Sequence, residues 1–323
     1  MKKLLYILYS LCLILVLFGC KKSEPDFYPA VQTRNVTNIS PTSATSGGNV
    51  TSDGGADIIA RGVCCSTNQT PTIDDNNTNE GIGSGGFTSN IKDLKQNTTY
   101  YLRAYASNGL RTGYGDAVSF KTTIEPGAIL DIEGNGYHMV TIGTQVWMTE
   151  NLKTSKYCNG DLILTTTPPT MNITSFSSPK FQWAYKGEES LVNAFGRLYT
   201  WYTITDNRNV CPTGWHVPTS AEWTILITYL GGNSEAGDKL IKAGTPMIIY
   251  GTNSSGFTAI LSGGRQVTGN FGGLNSVALW WSSTRYDNSS AWNLQLSSNY
   301  NHVYINTGTT LKQYGFSVRC VKD

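Results

Sequence analysis

The stretch Thr98-Thr99-Tyr100-Tyr101-Leu102-Arg103-Ala104-Tyr105-Ala106 alternates with a period of two. Tyr100, Leu102, Ala104 and Ala106 share one face; Tyr101, Arg103 and Tyr105 share the other. Successive side chains on a strand point to opposite sides, so this segment predicts a strand with one buried face. A lone strand has no partners for its backbone, so others must join it. Residues 44–51, 58–66 and 117–122 read as further strands, with Gly54-Gly55 and Gly83 to Gly86 as turns between them. Charged residues make up only 14% of the chain, against about 25% in typical soluble domains. Gly, Ser, Thr and Asn fill the difference, which suits short strands and turns. The 323 residues suggest two domains, and the fold class expected is mainly β with an α+β C-terminal part.

The N-terminus reads as an address. Lys2 and Lys3 precede an uncharged, apolar stretch from Leu4 to Phe18. That matches a secretory signal and is short for a spanning helix, which needs about 20 residues. Leu17-Phe18-Gly19-Cys20 follows and resembles the lipobox of bacterial lipoproteins. The resemblance implies cleavage after Gly19 and acylation of Cys20, with palmitate-type chains holding the protein to a membrane. Residues 1–19 are then the signal peptide and 20–30 a lipidated tether. The expected location is the cell envelope, as an outer-membrane lipoprotein; which side it faces stays open. Removing Lys2 and Lys3 brings the formal charge of +2 close to zero. No broad positive field remains for phosphates, so nucleic acid is not an expected partner.

Residues 31–123 form the first module. Leu94, the polar turn Lys95-Gln96-Asn97 and Tyr100 are spaced as in the tyrosine corner of fibronectin type III sandwiches, which this module resembles. Gly81-Ile82-Gly83-Ser84-Gly85-Gly86 fits G-x-G-x-x-G. It lacks the strand before and helix after that a dinucleotide site needs, so it reads as a turn. Asp75 to Glu80 begins like a calcium loop, but the glycine falls late at Gly81 and position twelve is Gly86. Residues 124–127, Ile-Glu-Pro-Gly, form a linker.

Residues 128–323 form the second module. Asn193 to Tyr202 reads as a short amphipathic helix, with Ala194, Leu198, Trp201 and Tyr202 on one face. From Pro218 to Leu230 a second helix is predicted. Thr219 and Glu222 make a capping box, Trp223, Leu226, Ile227 and Leu230 form the buried stripe, and Gly231 ends it. Strands are predicted at 255–260, 278–283, 291–296, 302–306 and 315–321.

Several motifs occur here in a set order. Val140-Thr141-Ile142-Gly143, Gln145-Val146-Trp147-Met148 and Glu150-Asn151-Leu152 come first. Gly196-Arg197-Leu198-Tyr199-Thr200-Trp201-Tyr202 and Cys211-Pro212-Thr213-Gly214-Trp215-His216-Val217-Pro218-Thr219 follow. Ser255-Gly256-Phe257, Gly263-Gly264-Arg265, Trp280-Trp281-Ser282-Ser283-Thr284 and Gly315-Phe316-Ser317-Val318-Arg319-Cys320 complete the series. The module resembles the Fibrobacter succinogenes major paralogous domain. That resemblance implies a fold similar to C-type lectin and sulfatase-modifying-factor domains, and it brings no established activity.

Of seven cysteines, Cys12 lies in the signal and Cys20 is the lipid site, which leaves Cys64, Cys65, Cys158, Cys211 and Cys320. An odd number cannot all pair within one chain. The family motifs contain Cys211 and Cys320, so the resemblance implies a Cys211–Cys320 disulfide. Adjacent Cys64 and Cys65 lie on opposite faces of a strand, one of them a buried free thiol. Paired C-x-x-C spacing is absent, so no metal is expected.

No H-E-x-x-H, G-x-S-x-G or P-loop motif is present, and no catalytic residue or cofactor is assigned. Of His138, His216 and His302 none forms a metal-binding pair, and His216 is read as structural, bonding local backbone. Trp281, Tyr286, Trp292 and Asn293 are the candidate ligand-binding residues. Rings stack on the C–H face of a polyol and amides bond its hydroxyls. Of adjacent Trp280 and Trp281, one should face the core and the other solvent. The reading is therefore a lipid-anchored, non-catalytic binding module for glycans or surface polymers. Alternatives are a structural protein that contacts envelope proteins and an enzyme of unknown reaction, the last resting on fold analogy alone.

Overall fold

The computed structural model describes residues 27–242, 251–298, 300–306 and 310–323. The expected signal peptide, Cys20 and most of the expected tether lie outside the described residues. The chain is mainly β and divides into two compact units. One includes the described residues up to Leu94 plus Thr98–Thr122, and the other Lys95–Asn97 and Thr123–Asp323.

The first unit is a β-sandwich. Ala30–Thr33, Ala44–Ser52 and Gly85–Ile91 form a three-stranded antiparallel sheet, and Asn76–Asn77, Ala60–Ser66, Thr99–Ser107 and Thr112–Tyr114 form the other, joined by Val118–Lys121 on Thr99–Ser107. This is a fibronectin type III-like order. Leu102, Ala104 and Ala106 are fully buried in the core between the sheets, and Tyr100 packs against that core and stacks on Phe120. On the other face Tyr105 is also buried, because the segment through Thr78 crosses over it and accepts its hydroxyl (2.7 Å). Both Cys64 and Cys65 are buried free thiols, and burial pushes them up to about 11 and about 12. Gly81, Gly83 and Gly85 take left-handed φ values, as the turn reading requires.

The second unit is built on two larger sheets, with two-stranded pairs beside them. Met139–Ile142, Gln145–Met148, Val321–Lys322 and Trp215–His216 make a four-stranded sheet. The other runs Phe271–Leu274, Ser262–Arg265, Val277–Arg285, Ala291–Ser297, Tyr300–Asn306. The helix Ser220–Tyr229 forms as expected. The Glu222 amide donates to Thr219 Oγ1 and the Thr219 amide to Glu222 Oε2, and Trp223, Leu226, Ile227 and Leu230 enter the core.

Three expectations are corrected. Residues 193–202 are not one helix: Val192–Phe195 stops at Gly196 (φ 76°), Leu198–Tyr199 is a strand, and a new helical turn runs Trp201–Ile204. The extended pair at Leu198–Tyr199 bonds to Gln182–Trp183, a long-range partner that local periodicity does not reveal. Residues 255–260 hold turns and a single bridge from Ala259 to Ile241 instead of a strand. And Trp280 and Trp281 are both wholly buried, because the five-stranded sheet has a core on each side.

Cys211 and Cys320 are joined by a disulfide across 109 residues. A crosslink of that span stabilises by about 4–5 kcal/mol in the chain-entropy model. The double variant Cys211→Ser/Cys320→Ser is expected to lower the melting temperature of the second unit by on the order of 10 °C, measured by calorimetry against the oxidised parent.

Candidate ligand-binding site

The two long central strands set the site. Trp280 pairs with Leu294, and Ala278 with Leu296; all four enter one core. The intervening residues Val277, Leu279, Trp281, Asn293 and Gln295 therefore share the opposite face, with Leu279 opposite Gln295 and Trp281 opposite Asn293. Against this face lies the C-terminal segment. Gly315 and Arg265 exchange backbone hydrogen bonds of 2.8 Å, and Tyr314 stacks on Phe316 with ring centres 5.8 Å apart. A Cβ on Gly264 would lie 2.9 Å from Leu279 and 3.2 Å from Phe316, so only glycine lets them close here.

The result is an open groove of about 430 Å³, within the usual range for ligand sites. Leu279, Val277, Tyr314 and Phe316 supply apolar and ring surface. Gln266, Gln295, Asn293 and Thr310 supply amides and a hydroxyl. Asn293 is only 2% exposed. Its Oδ1 accepts from Thr310 Oγ1 (2.8 Å), while its Nδ2 has no partner among the described residues. Buried donors are almost always paired, so this unmade bond marks the floor as unfinished.

Arg265 forms one wall, and burial pulls its guanidinium down to about 10, so it stays charged. It lies over the Trp183 ring at 4.1 Å and donates to the carbonyls of Pro169, Gln266 and Met171. With three nitrogens so engaged, it acts as a post for the loop at 169–171.

A family model described as the Fibrobacter succinogenes major domain matches residues 140–322, more than half of the chain. This chain belongs to the Fibrobacter succinogenes major domain family. The groove lies wholly within the matched residues. No curated protein matches the chain significantly. Among solved structures, the chain is similar to the sensor domain of the anti-sigma factor RsgI4 of Pseudobacteroides cellulosolvens (19% identity, 32% of this chain and all of that one, TM-score 0.24). It is also similar to the third fibronectin III domain of human KIAA0343 (17%, 34% and 95%, 0.23) and to chicken CNTN1 domains FN1–FN3 (13%, 38% and 40%, 0.25).

Within the Fibrobacter succinogenes major domain, the four candidate residues separate. Asn293 lines the groove. Trp281 is 0% exposed and does not reach a ligand. Its ring lies on Phe316 (4.6 Å) and its indole donates to Tyr199 O (2.6 Å), so it supports the groove from beneath. Tyr286, 52% exposed, and half-buried Trp292 meet edge to face at 6.0 Å. Trp292 neighbours Asn293 and so points to the other face, away from the groove. Sequence reasoning missed Gln295, Thr310, Tyr314 and Phe316. A signal existed for Gln295: in Trp292-Asn293-Leu294-Gln295-Leu296 the amides alternate with apolar residues.

Among the described residues no group of three or more His, Cys, Asp or Glu is placed to hold a metal. Asp206 is held well below the usual carboxylate range by Arg208, with Lys180 adding to it. Two of the three histidines sit between carboxylates. His138 faces Glu150 (2.6 Å) and Glu125 (3.4 Å); His216 faces Asp323 (2.6 Å) and Glu222 (2.7 Å). His216 thus bonds carboxylates, not the expected backbone. Both ring nitrogens of each are engaged, which leaves none for general-base work.

The hydrogen bond to Glu150 raises the His138 pKa above the ordinary value. For His216, burial opposes the charge, but the bonds to Asp323 and Glu222 outweigh it and raise the pKa. A raised folded pKa means stability fully present below the unfolded value of about 6.5, and lost as pH rises through the folded value. Denaturant melts are expected to show stability falling as pH rises above about 6.5, by under about 1 kcal/mol per histidine at these exposed sites. His138→Gln/His216→Gln should flatten that slope.

Proposed function

We propose that this protein is a lipid-anchored component of the bacterial cell envelope that carries a non-catalytic, glycan-binding module. The first unit serves as a fibronectin type III-like spacer, and the second, on a C-type-lectin-like scaffold, carries the groove. The observation that supports binding is the buried Asn293 amide, whose nitrogen is left without an acceptor beneath a groove lined by rings, amides and a hydroxyl. Those are the groups that recognise a hydroxyl-bearing ring. A neutral ligand fits, since among the described residues Arg265 is the one charged residue lining the groove and its guanidinium is turned to carbonyls.

Glycan arrays probed with detergent-solubilised full-length protein are expected to show binding that Asn293→Leu abolishes. Leu removes an unsatisfied buried amide, so the variant should melt within about 1 kcal/mol of the parent despite losing the Thr310 bond. Uniformly silent arrays, or an Asn293→Leu protein that binds normally, would falsify the reading. For the anchor, Cys20→Ser should move the protein out of the membrane fraction and end its labelling by palmitate; continued membrane retention contradicts lipid attachment.

An exposed apolar pair, Ile225 and Tyr229, lies one turn apart on the helix Ser220–Tyr229. It supports a second reading, contact with another envelope protein.

A further inference from the structure

The groove face does not stop at Gln295. In the next strand Tyr304 is the direct partner of Gln295, and Leu294 and Leu296 pair with Ile305 and Val303. Val303 lies in the core that holds Leu294 and Leu296, and Ile305 packs against it. Tyr304 must therefore stand on the groove side of the sheet. It is 46% exposed. His302, two residues away on the same strand, brings its ring to 6.2 Å from the Tyr304 ring at an angle of 30°. Tyr300–Asn306 is the last strand in the sheet order, with no further strand beside it among the described residues.

Two surfaces with the same chemistry thus lie side by side. One is the groove, with Tyr314 and Phe316 over an amide floor. The other is an open ring platform one strand away, about 4.8 Å in backbone spacing. That step is close to the rise of a single sugar along a glycan chain. A compact ligand fills the groove and leaves Tyr304 idle; a linear chain uses both. Ring surface on an edge strand costs solvation unless something covers it. A hydroxyl-rich chain can cover it with its C–H face and keep its hydroxyls wet. Among the described groove-lining residues there is no carboxylate, and Arg265 gives a donor from each of its three nitrogens to carbonyls, so the site holds little counter-charge for an anionic chain.

We infer that the groove is one subsite of a longer platform that reads a linear, uncharged polysaccharide over at least two sugar units, with Tyr304 as the outer subsite. This rests on the glycan-binding reading above and adds length and charge to it.

The test is a length series. Full-length protein in detergent is titrated calorimetrically with β-1,4- and β-1,3-linked glucose oligosaccharides of one to six units. Affinity is expected to climb at least tenfold from one unit to four. Tyr304→Ala should lower affinity for the four-unit chain about tenfold, the scale of one lost ring stack, and leave glucose within twofold. Tyr304→Phe should restore it, since the ring and not the hydroxyl makes the platform. Affinity flat with length, or a Tyr304→Ala loss equal at every length, overturns the extended platform while leaving glycan binding intact. Failure of every chain to bind, with arrays reporting some other glycan, also overturns it. Silence in both experiments withdraws the glycan reading as well, and capture of extended peptides instead would assign the edge strand to a protein partner.

Discussion

The second unit is organised around the guanidinium of Arg319. It is wholly buried and has no carboxylate within ion-pair distance among the described residues. A lone buried charge costs several kcal/mol, and burial pulls this one down to about 9. Its position is tolerable because acceptors converge on it: Met148 O (3.1 Å), Phe257 O (2.6 Å), Asn151 Oδ1 (3.1 Å) and Thr258 O (3.3 Å). The faces of Phe257 at 4.4 Å and Trp280 at 5.8 Å complete the cage. Asn151 Oδ1 also accepts the Trp280 indole (2.8 Å), and its Nδ2 donates to Phe195 O. The opening strand, the 257–258 turn, the central sheet and the C-terminal segment are thus tied through one side chain. Next to it, Cys320 is locked to Cys211, and its carbonyl accepts the Met148 amide.

That arrangement explains the motifs. Glu150-Asn151-Leu152, Ser255-Gly256-Phe257, Trp280-Trp281 and Val318-Arg319-Cys320 are far apart in the chain, yet they meet at this cage. Each brings one residue to the cage: Asn151, Phe257, Trp280 and Arg319 itself. They are framework, not chemistry. The groove lies on the far face of the same sheet, carried by Trp281 and Phe316. The antiparallel pairing of the two central strands sets Leu279 against Gln295 and Trp281 against Asn293 on the other side.

The ionisable groups follow a structural logic too. Asp206 is held by Arg208 and Lys180, Glu189 by Arg197, and His138 and His216 by two carboxylates each. Such groups stiffen turns and termini. The groove is instead furnished with amides, hydroxyl and rings, which suits recognition of neutral polar surface better than proton transfer.

Much of this was legible in one dimension. The alternation at 98–106 determined a strand with one face in the core, but not that Tyr105 on its other face is covered too. The spacing of Thr219, Glu222 and the Trp223–Leu230 stripe determined a capped helix, since both are local effects of backbone period and end chemistry. The motif order determined the family, and with it the Cys211–Cys320 pairing. What lay beyond reach depended on partners remote in sequence. Residues 193–202 broke into strand and turn because Leu198–Tyr199 pairs with Gln182–Trp183. Trp281 went inside because a second core covers that face of its sheet, and period-two reasoning shows that two faces differ without showing what covers either. For the same reason the groove was only a quarter legible: of the four residues read from sequence, Asn293 alone lines it. Its other parts, Gly264, Thr310, Tyr314 and Phe316, are brought to Asn293 by sheet register and the return of the C-terminal segment, which only tertiary packing decides.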